Sequence, residues 1–247
     1  MSFYTIFKRD LKNLILSPVL VTYNTVFPFL IVLILGYLTS GNYDGTNVTS
    51  YDYYGVSIII FCVIFVSATA SNSFMEARVK SSNLRIMYSP INVSSIYLSK
   101  ITSTFVFTSV CFLVLMAILK LSLNVNYGGK NTIYVIILLE LFNFLSAAVG
   151  ILFCCIFKSE ELANKILSPF LNIFGILGGV FFQIDSFGKT VEKISYISPI
   201  KWVDQAIFKI IYDNDLSYFG PTVIILILVT LICLMFCKLT FKVEDYV

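Results

Sequence analysis

The chain has 247 residues, 58% hydrophobic and 13% charged, with a mean hydropathy of +0.89 and a net charge of +3. Soluble proteins carry roughly 25% charged residues, so a water-soluble globule is excluded, and no stretch remains for a separate soluble domain. The small positive charge calls for no nucleic acid, because basic loops that anchor a membrane protein account for it.

Six apolar runs occupy 19–38, 54–74, 101–119, 132–157, 166–184 and 221–241. A bilayer core takes roughly 20 helical residues, and backbone in lipid must satisfy its own hydrogen bonds. The expected fold class is therefore all-α integral membrane, with six transmembrane helices in one domain over 1–247. The first run starts too late and runs too long for a cleaved signal peptide, so it reads as a span.

Ahead of it, 2–16 is amphipathic. At helical pitch Phe3, Tyr4, Phe7, Leu11, Leu14 and Ile15 gather on one face, and Lys8, Arg9 and Lys12 fall on another. That pattern predicts a helix lying in the membrane interface, ended by Ser17-Pro18. It serves either as a lipid anchor or as an anchor that also touches a cytoplasmic partner. Pro28, near the centre of the first span, predicts a kink. The second span ends in Ser67, Ala68, Thr69, Ala70, Ser71, Asn72 and Ser73, small residues that permit close helix contact.

The next segment, 76–100, is long for a connector. It carries Glu76, Arg78, Lys80 and Arg85, then Ser89-Pro90. Serine before proline is a helix start, and a short surface helix is expected over 90–98. In the fourth span Glu140 stands as the charge well inside an apolar run, with Asn143 one turn away. An ionisable residue at membrane depth is a candidate functional site, here on a translocation path; the structural alternative is a carboxyl bonded to a neighbouring helix. Gly175 and Gly179 in the fifth span form a GxxxG pattern suited to close packing.

The stretch 185–220 predicts two short helices, 187–197 and 199–212, the second started by Ser198-Pro199. Trp202, Val203, Ala206, Ile207, Ile210 and Ile211 share one face, with Asp204 and Lys209 elsewhere. Trp202, the single tryptophan, suits a membrane–water interface. Within this stretch Gly188-Lys189-Thr190 ends like a phosphate-binding loop, but Gln183 stands where the pattern needs glycine, so nucleotide binding is rejected.

Histidine is absent, and all six cysteines lie inside the apolar runs without a CxxC pair. A structural metal site or a disulfide framework is not expected, and the commonest general base is missing. With both termini placed in the cytoplasm, eleven of the 17 basic residues fall inside, and the first outer loop, 39–53, holds Asp44 and Asp52 but no lysine or arginine. The basic-residue bias thus predicts a multi-pass cell-membrane protein with both ends cytoplasmic.

An interface helix, six spans, a helix-forming loop between spans two and three, and an outer hairpin before the last span together resemble the membrane subunits of ABC-2 type exporters, the type V fold. Phe74-Met75-Glu76-Ala77-Arg78 resembles that family's exit from span two. Arg85-Ile86-Met87-Tyr88-Ser89-Pro90 is similar to its approach to the coupling helix, and Tyr196-Ile197-Ser198-Pro199-Ile200-Lys201-Trp202 to its segment before the last span. The resemblance covers essentially the whole chain. It implies a permease whose partners are two copies of a separate ABC ATPase, a second permease copy (the same chain or a sister) and membrane lipid. It implies no cofactor in this chain, with ATP and Mg held by the partner. Glu76, Arg78, Arg85, Tyr88, Ser89, Pro90 and Ile91 would then contact the ATPase, and Pro199 and Trp202 would belong to an outer gate. The cargo would be a hydrophobic or amphipathic peptide, drug, antibiotic or lipid-like molecule. The alternative from another class is an intramembrane enzyme or passive channel, which a co-purifying ATPase distinguishes from a permease.

Overall fold

A computed structural model of the chain describes residues 3–43, 48–75, 93–181 and 188–241. The described residues are almost all helical, with no strand among them. Helix α1, Phe3–Ile15, buries Ile6, Asp10 and Leu14, which recur every fourth residue, against the long helix α6 described below. Phe3, Tyr4 and Ile15, on the expected apolar face, stay exposed. An amphipathic helix in the interface keeps such a face for lipid, so α1 has two working faces where the sequence suggested one.

Helices α2, Pro18–Asn24, and α3, Val26–Leu38, form the first span. They break at Thr25, with φ −128° and ψ −64°. Pro28 has no N–H to offer the Asn24 carbonyl, so the expected kink falls at its own missing bond. The Asn24 amide and the Thr25 hydroxyl donate to the carbonyls of Leu20 (2.8 Å) and Val21 (2.6 Å) at the break.

The second span joins α4, Ser50–Ile64, to α5, Val66–Met75. Thr49 and Asp52 start it with a reciprocal capping box, which satisfies two otherwise orphaned backbone donors. Its most apolar stretch is 83% buried, against 22% for Pro18–Leu38 and 28% for the last span. The second span is therefore the centre of the bundle, and the first and last lie at its periphery. Helix α6, Val93–Leu123, is continuous over 31 residues. The described part of the expected surface helix, 93–98, is thus already the base of the third span, and Ile96 and Tyr97 are buried there.

Helix α7, Thr132–Phe157, packs against α5 and the last helix, α11, Phe219–Thr240. A Cβ added at Gly150 would lie 1.9 Å from the Ser67 carbonyl oxygen, so glycine is what lets these backbones approach. Helix α8, Glu160–Leu177, stands at the fifth expected span but starts earlier and ends earlier. Its first turn carries Glu160 and Glu161 under the Ser159 cap, as the helix dipole favours. Those charges leave five helices among the described residues long and apolar enough to cross a membrane. Gly175 accommodates the Phe61 ring, but Gly179, at φ +83°, lies beyond the helix end, so the two do not form one helical GxxxG face. The expected hairpin is present as α9, Lys189–Ser195, and α10, Pro199–Phe208, followed by a π-helical turn, Lys209–Asp213. It caps one end of the bundle, touching α4, α7, α8 and α11.

Candidate functional site

Three polar constellations interrupt the apolar packing. The first is a seam between α6 and α7 around Glu140 and Asn143. The Ser109 hydroxyl donates to the Glu140 carboxylate. The Asn143 amide donates to Ser109 Oγ at 3.2 Å, and the Thr108 hydroxyl donates to Asn143 Oδ1 at 2.8 Å. Asn143 is buried and Glu140 half-buried. The two residues singled out in the sequence are therefore joined, through partners on the neighbouring helix. Interhelical bonds of this kind contribute about 0.6 to 2 kcal/mol each.

The second constellation lies at the end of the bundle that carries α1. Lys100 Nζ stands 3.1 Å from Asp10 Oδ2 and donates to the Ser73 carbonyl at 3.0 Å. Their side chains are 1% and 4% exposed, and Arg9 reaches the other Asp10 oxygen at 3.1 Å. One ammonium thus ties α1, the end of α5 and the base of α6. Sequence reading placed Lys100 in a loop and overlooked Asp10, leaving Glu140 as the sole charge at depth. Asp10 falls four residues from both Ile6 and Leu14, and that spacing was the available signal for its burial.

The third constellation is at the hairpin end. Ser198 does not cap α10 but donates through Oγ to the Phe174 carbonyl at 2.7 Å. That bond holds the hairpin to α8. Ile200 then presses on Gly178, where an added Cβ would come within 2.4 Å of Ile200 Cγ2. Tyr53 and Tyr54 donate to the carbonyls of Gly179 and Phe181. Trp202 is 39% exposed; its indole donates to the Tyr196 carbonyl at 2.8 Å and stands edge-on to the Tyr196 ring. Pro199 lines a 250 Å³ cavity with Ile64, Phe142, Leu171 and Phe174.

The residues beneath Trp202 were read wrongly in one respect. Asp204 does not turn away: it is 8% exposed and accepts from the Ser57 hydroxyl at 3.2 Å. Lys201 is 7% exposed. Both line a second cavity of 360 Å³, together with Tyr53, Gly178, Gln205 and Tyr212. Nearby, Asp52 is buried and accepts the Asn126 N–H at 2.7 Å. The phenols of Tyr127 and Tyr212 are held above their ordinary value, first by burial and then by the Asp52 charge.

The coupling residues expected from the sequence, Glu76, Arg78, Arg85, Tyr88, Ser89, Pro90 and Ile91, lie outside the described residues. The helices on both sides of that segment are described, and Lys100 joins them through Ser73.

No curated protein matches the chain. A family model described as ABC-2 type transporter matches residues 1–212, from α1 through most of the hairpin turn. Family members of this kind are the membrane component of the transporter, work with an ABC ATPase and are not themselves catalytic. The chain belongs to the ABC-2 type transporters and is a multi-pass membrane permease subunit.

Proposed function

We propose that this permease exports a hydrophobic or amphipathic molecule, as a pair of permease chains served by two ATPase subunits. The observation that carries the reading is where the polar groups go. Within the spans they bond helix to helix, as Thr108, Ser109, Glu140 and Asn143 do. The cavity between α5, α7 and α8 is walled by Phe142, Leu145, Phe170, Leu171 and Phe174. Apolar walls favour apolar cargo by the ordinary transfer free energy.

Both termini lie in the cytoplasm, as the basic-residue bias argues. The segment that holds Glu76, Arg78, Arg85, Tyr88, Ser89, Pro90 and Ile91 meets the ATPase, which binds ATP and Mg. Tyr88 and Ile91 are its anchors, since aromatic and apolar groups centred in a pocket dominate binding. Glu140 and Asn143 border the path, and Pro199 and Trp202 its outer gate.

The test is co-reconstitution with the cognate ATPase in inverted vesicles. ATP-dependent uptake of an amphipathic fluorescent substrate is expected, and Tyr88→Ala with Ile91→Ala leaves insertion intact but uncouples uptake from hydrolysis. ATP hydrolysis that no hydrophobic or amphipathic compound stimulates, with no uptake, sinks the export reading.

A further inference from the structure

Helix α1 carries two rows of opposite character. Ile6, Asp10 and Leu14 are buried, and α1 packs on α6. Tyr4, Lys8, Lys12 and, just past the helix, Leu16 are all exposed. The second row is offset from the first by two residues, or about 200° at helical pitch, so it faces away from α6. The roll of α1 is fixed, because Lys100 holds Asp10 at 3.1 Å and Leu14 packs with Phe107 and Cys111. The same ion pair sets its depth. Lys100 immediately precedes the apolar run of α6 that opens at Ile101. Lys8 and Lys12 lie about 3 Å along the axis on either side of Asp10, so they stand where hydrocarbon gives way to headgroups.

We infer that this outward row of α1 binds an anionic phospholipid of the cytoplasmic leaflet, with Lys8 and Lys12 on its phosphate and Tyr4 and Leu16 beside its chains. The inference goes beyond the export reading, and rests on the proposed orientation for the choice of leaflet alone. Asp10 is the single acid of α1, and its two oxygens face Arg9 and Lys100. Among the described residues no hydrogen bond or ion pair engages Lys8 or Lys12. Like charges four residues apart on a helix repel each other, and one anion shared between them relieves that repulsion. Each ammonium rides on a flexible four-carbon stem, so two of them one turn apart can reach a single phosphodiester. A zwitterionic head brings its own cation to the lysines, which favours a lipid of net negative charge. The ends of the row are apolar, with Tyr4 65% and Leu16 66% exposed, and Val19 at the start of the first span is exposed as well. Such side chains gain from acyl chains and lose against water, which favours lipid over an acidic soluble protein as the occupant.

The test is native mass spectrometry of the purified full-length protein, titrated with phosphatidylglycerol or with phosphatidylcholine of identical chains. A lysine beside an anionic surface strengthens binding about fivefold. One phosphatidylglycerol per chain is therefore expected to bind about 25-fold tighter than phosphatidylcholine, the product of two such factors. Lys8→Gln with Lys12→Gln should erase that preference and leave phosphatidylcholine unchanged. Lys8→Arg with Lys12→Arg should keep it. So should Lys120→Gln with Lys130→Gln, which removes two exposed lysines at the hairpin end. All four side chains are exposed, so each variant should unfold at the wild-type midpoint. The single substitutions Lys8→Gln and Lys12→Gln, each losing about fivefold, replace the pair if it does not.

Equal affinity for the two lipids, or a preference that survives Lys8→Gln with Lys12→Gln, overturns the surface. An equal loss in the Lys120→Gln, Lys130→Gln variant also overturns it, by making the preference a response to net charge. Wild-type lipid binding by the Lys8→Gln, Lys12→Gln variant together with loss of the cognate ATPase gives the row to the ATPase and overturns the lipid assignment. None of these readouts needs transport, so the export reading can fail while the lipid surface stands, and the reverse.

Discussion

At the end of the bundle that carries α1, Lys100 and Asp10 meet at 3.1 Å with side chains 1% and 4% exposed, whereas at the hairpin end Lys201 and Asp204 are also buried but stand on the wall of a 360 Å³ cavity. Both ends withdraw charge from bulk water, and at the α1 end the opposite sign is 3.1 Å away. What differs is the space around the charges. The first pair is enclosed by three helices and the Ser73 carbonyl, so it acts as a tie. At the hairpin end a cavity stands beside the charges, so they act as a lining. A buried charge thus reports a job only together with the volume next to it.

The largest effect should come from breaking the tie. Asp10→Ala strands the Lys100 ammonium and should cost about 3 to 5 kcal/mol, the usual penalty for one partner of a buried pair. The readout is the loss of monodisperse protein on heating in detergent. Asp10→Leu with Lys100→Met replaces the pair by apolar groups and should recover most of that loss. Equal stability of Asp10→Ala and wild type would show that water reaches Lys100, and the contrast between the ends would vanish.

A control sits midway between the ends. Gly150→Val would push a side chain into the Ser67 backbone, where a Cβ alone comes within 1.9 Å. Backbone cannot swing aside as a side chain does, so a loss of about 1 to 3 kcal/mol from overpacking is expected. A midpoint unchanged by this substitution would mean that α5 and α7 slide freely.

The same substitution at both lysines tests the contrast directly. Lys100→Gln removes a charge from an enclosed pair, while Lys201→Gln removes one from a cavity wall. The second should cost about 1 kcal/mol, the net value of an ordinary polar contact, and the first several times more. Similar costs would make Lys201 a tie as well.

These contrasts show what was readable in the residues alone. Five of the six expected spans, the Pro28 kink and the hairpin were legible because apolar run length and proline chemistry are local. The pairing of Lys100 with Asp10 was not, since it joins residues 90 positions apart through packing that no local pattern encodes. Asp204 was misread for a related reason. Its neighbours Ile200, Val203 and Ile207 pointed inward, and a carboxylate among them was assigned outward by polarity, before Ser57 was known to face it. Glu140 was found because it is alone in its run, but its bond to Ser109 needed the neighbouring helix.

Glu140→Gln is expected to have a small effect on stability. The amide oxygen still accepts from Ser109, so unfolding should shift by less than about 1 kcal/mol, one neutral hydrogen bond. Transport should change if the carboxylate borders the path, and Ser109→Ala should then reproduce the change. Wild-type transport by both variants across pH would leave this seam a clamp between α6 and α7.

The smallest effect concerns the closed corner of the hairpin end, where Tyr127 sits near Asp52. Burial, and then the Asp52 charge, raise the Tyr127 phenol above its ordinary value. In the unfolded chain a phenol ionises near about 10. A group whose folded value lies higher holds its proton more firmly when folded. Its contribution to stability is complete below about pH 10 and is lost as pH rises toward the folded value. Among the described residues Tyr127 Oη is buried without a hydrogen-bond partner, so Tyr127→Phe gives up no bond there and should match wild type at pH 8. At pH 11 the wild type should have lost part of its margin and the variant less, because phenylalanine has no proton to lose. Thermal midpoints of both proteins at the two pH values measure the difference. An equal decline in both would mean that the phenol ionises as freely in the folded protein as in the unfolded chain, and that water reaches the Asp52 corner.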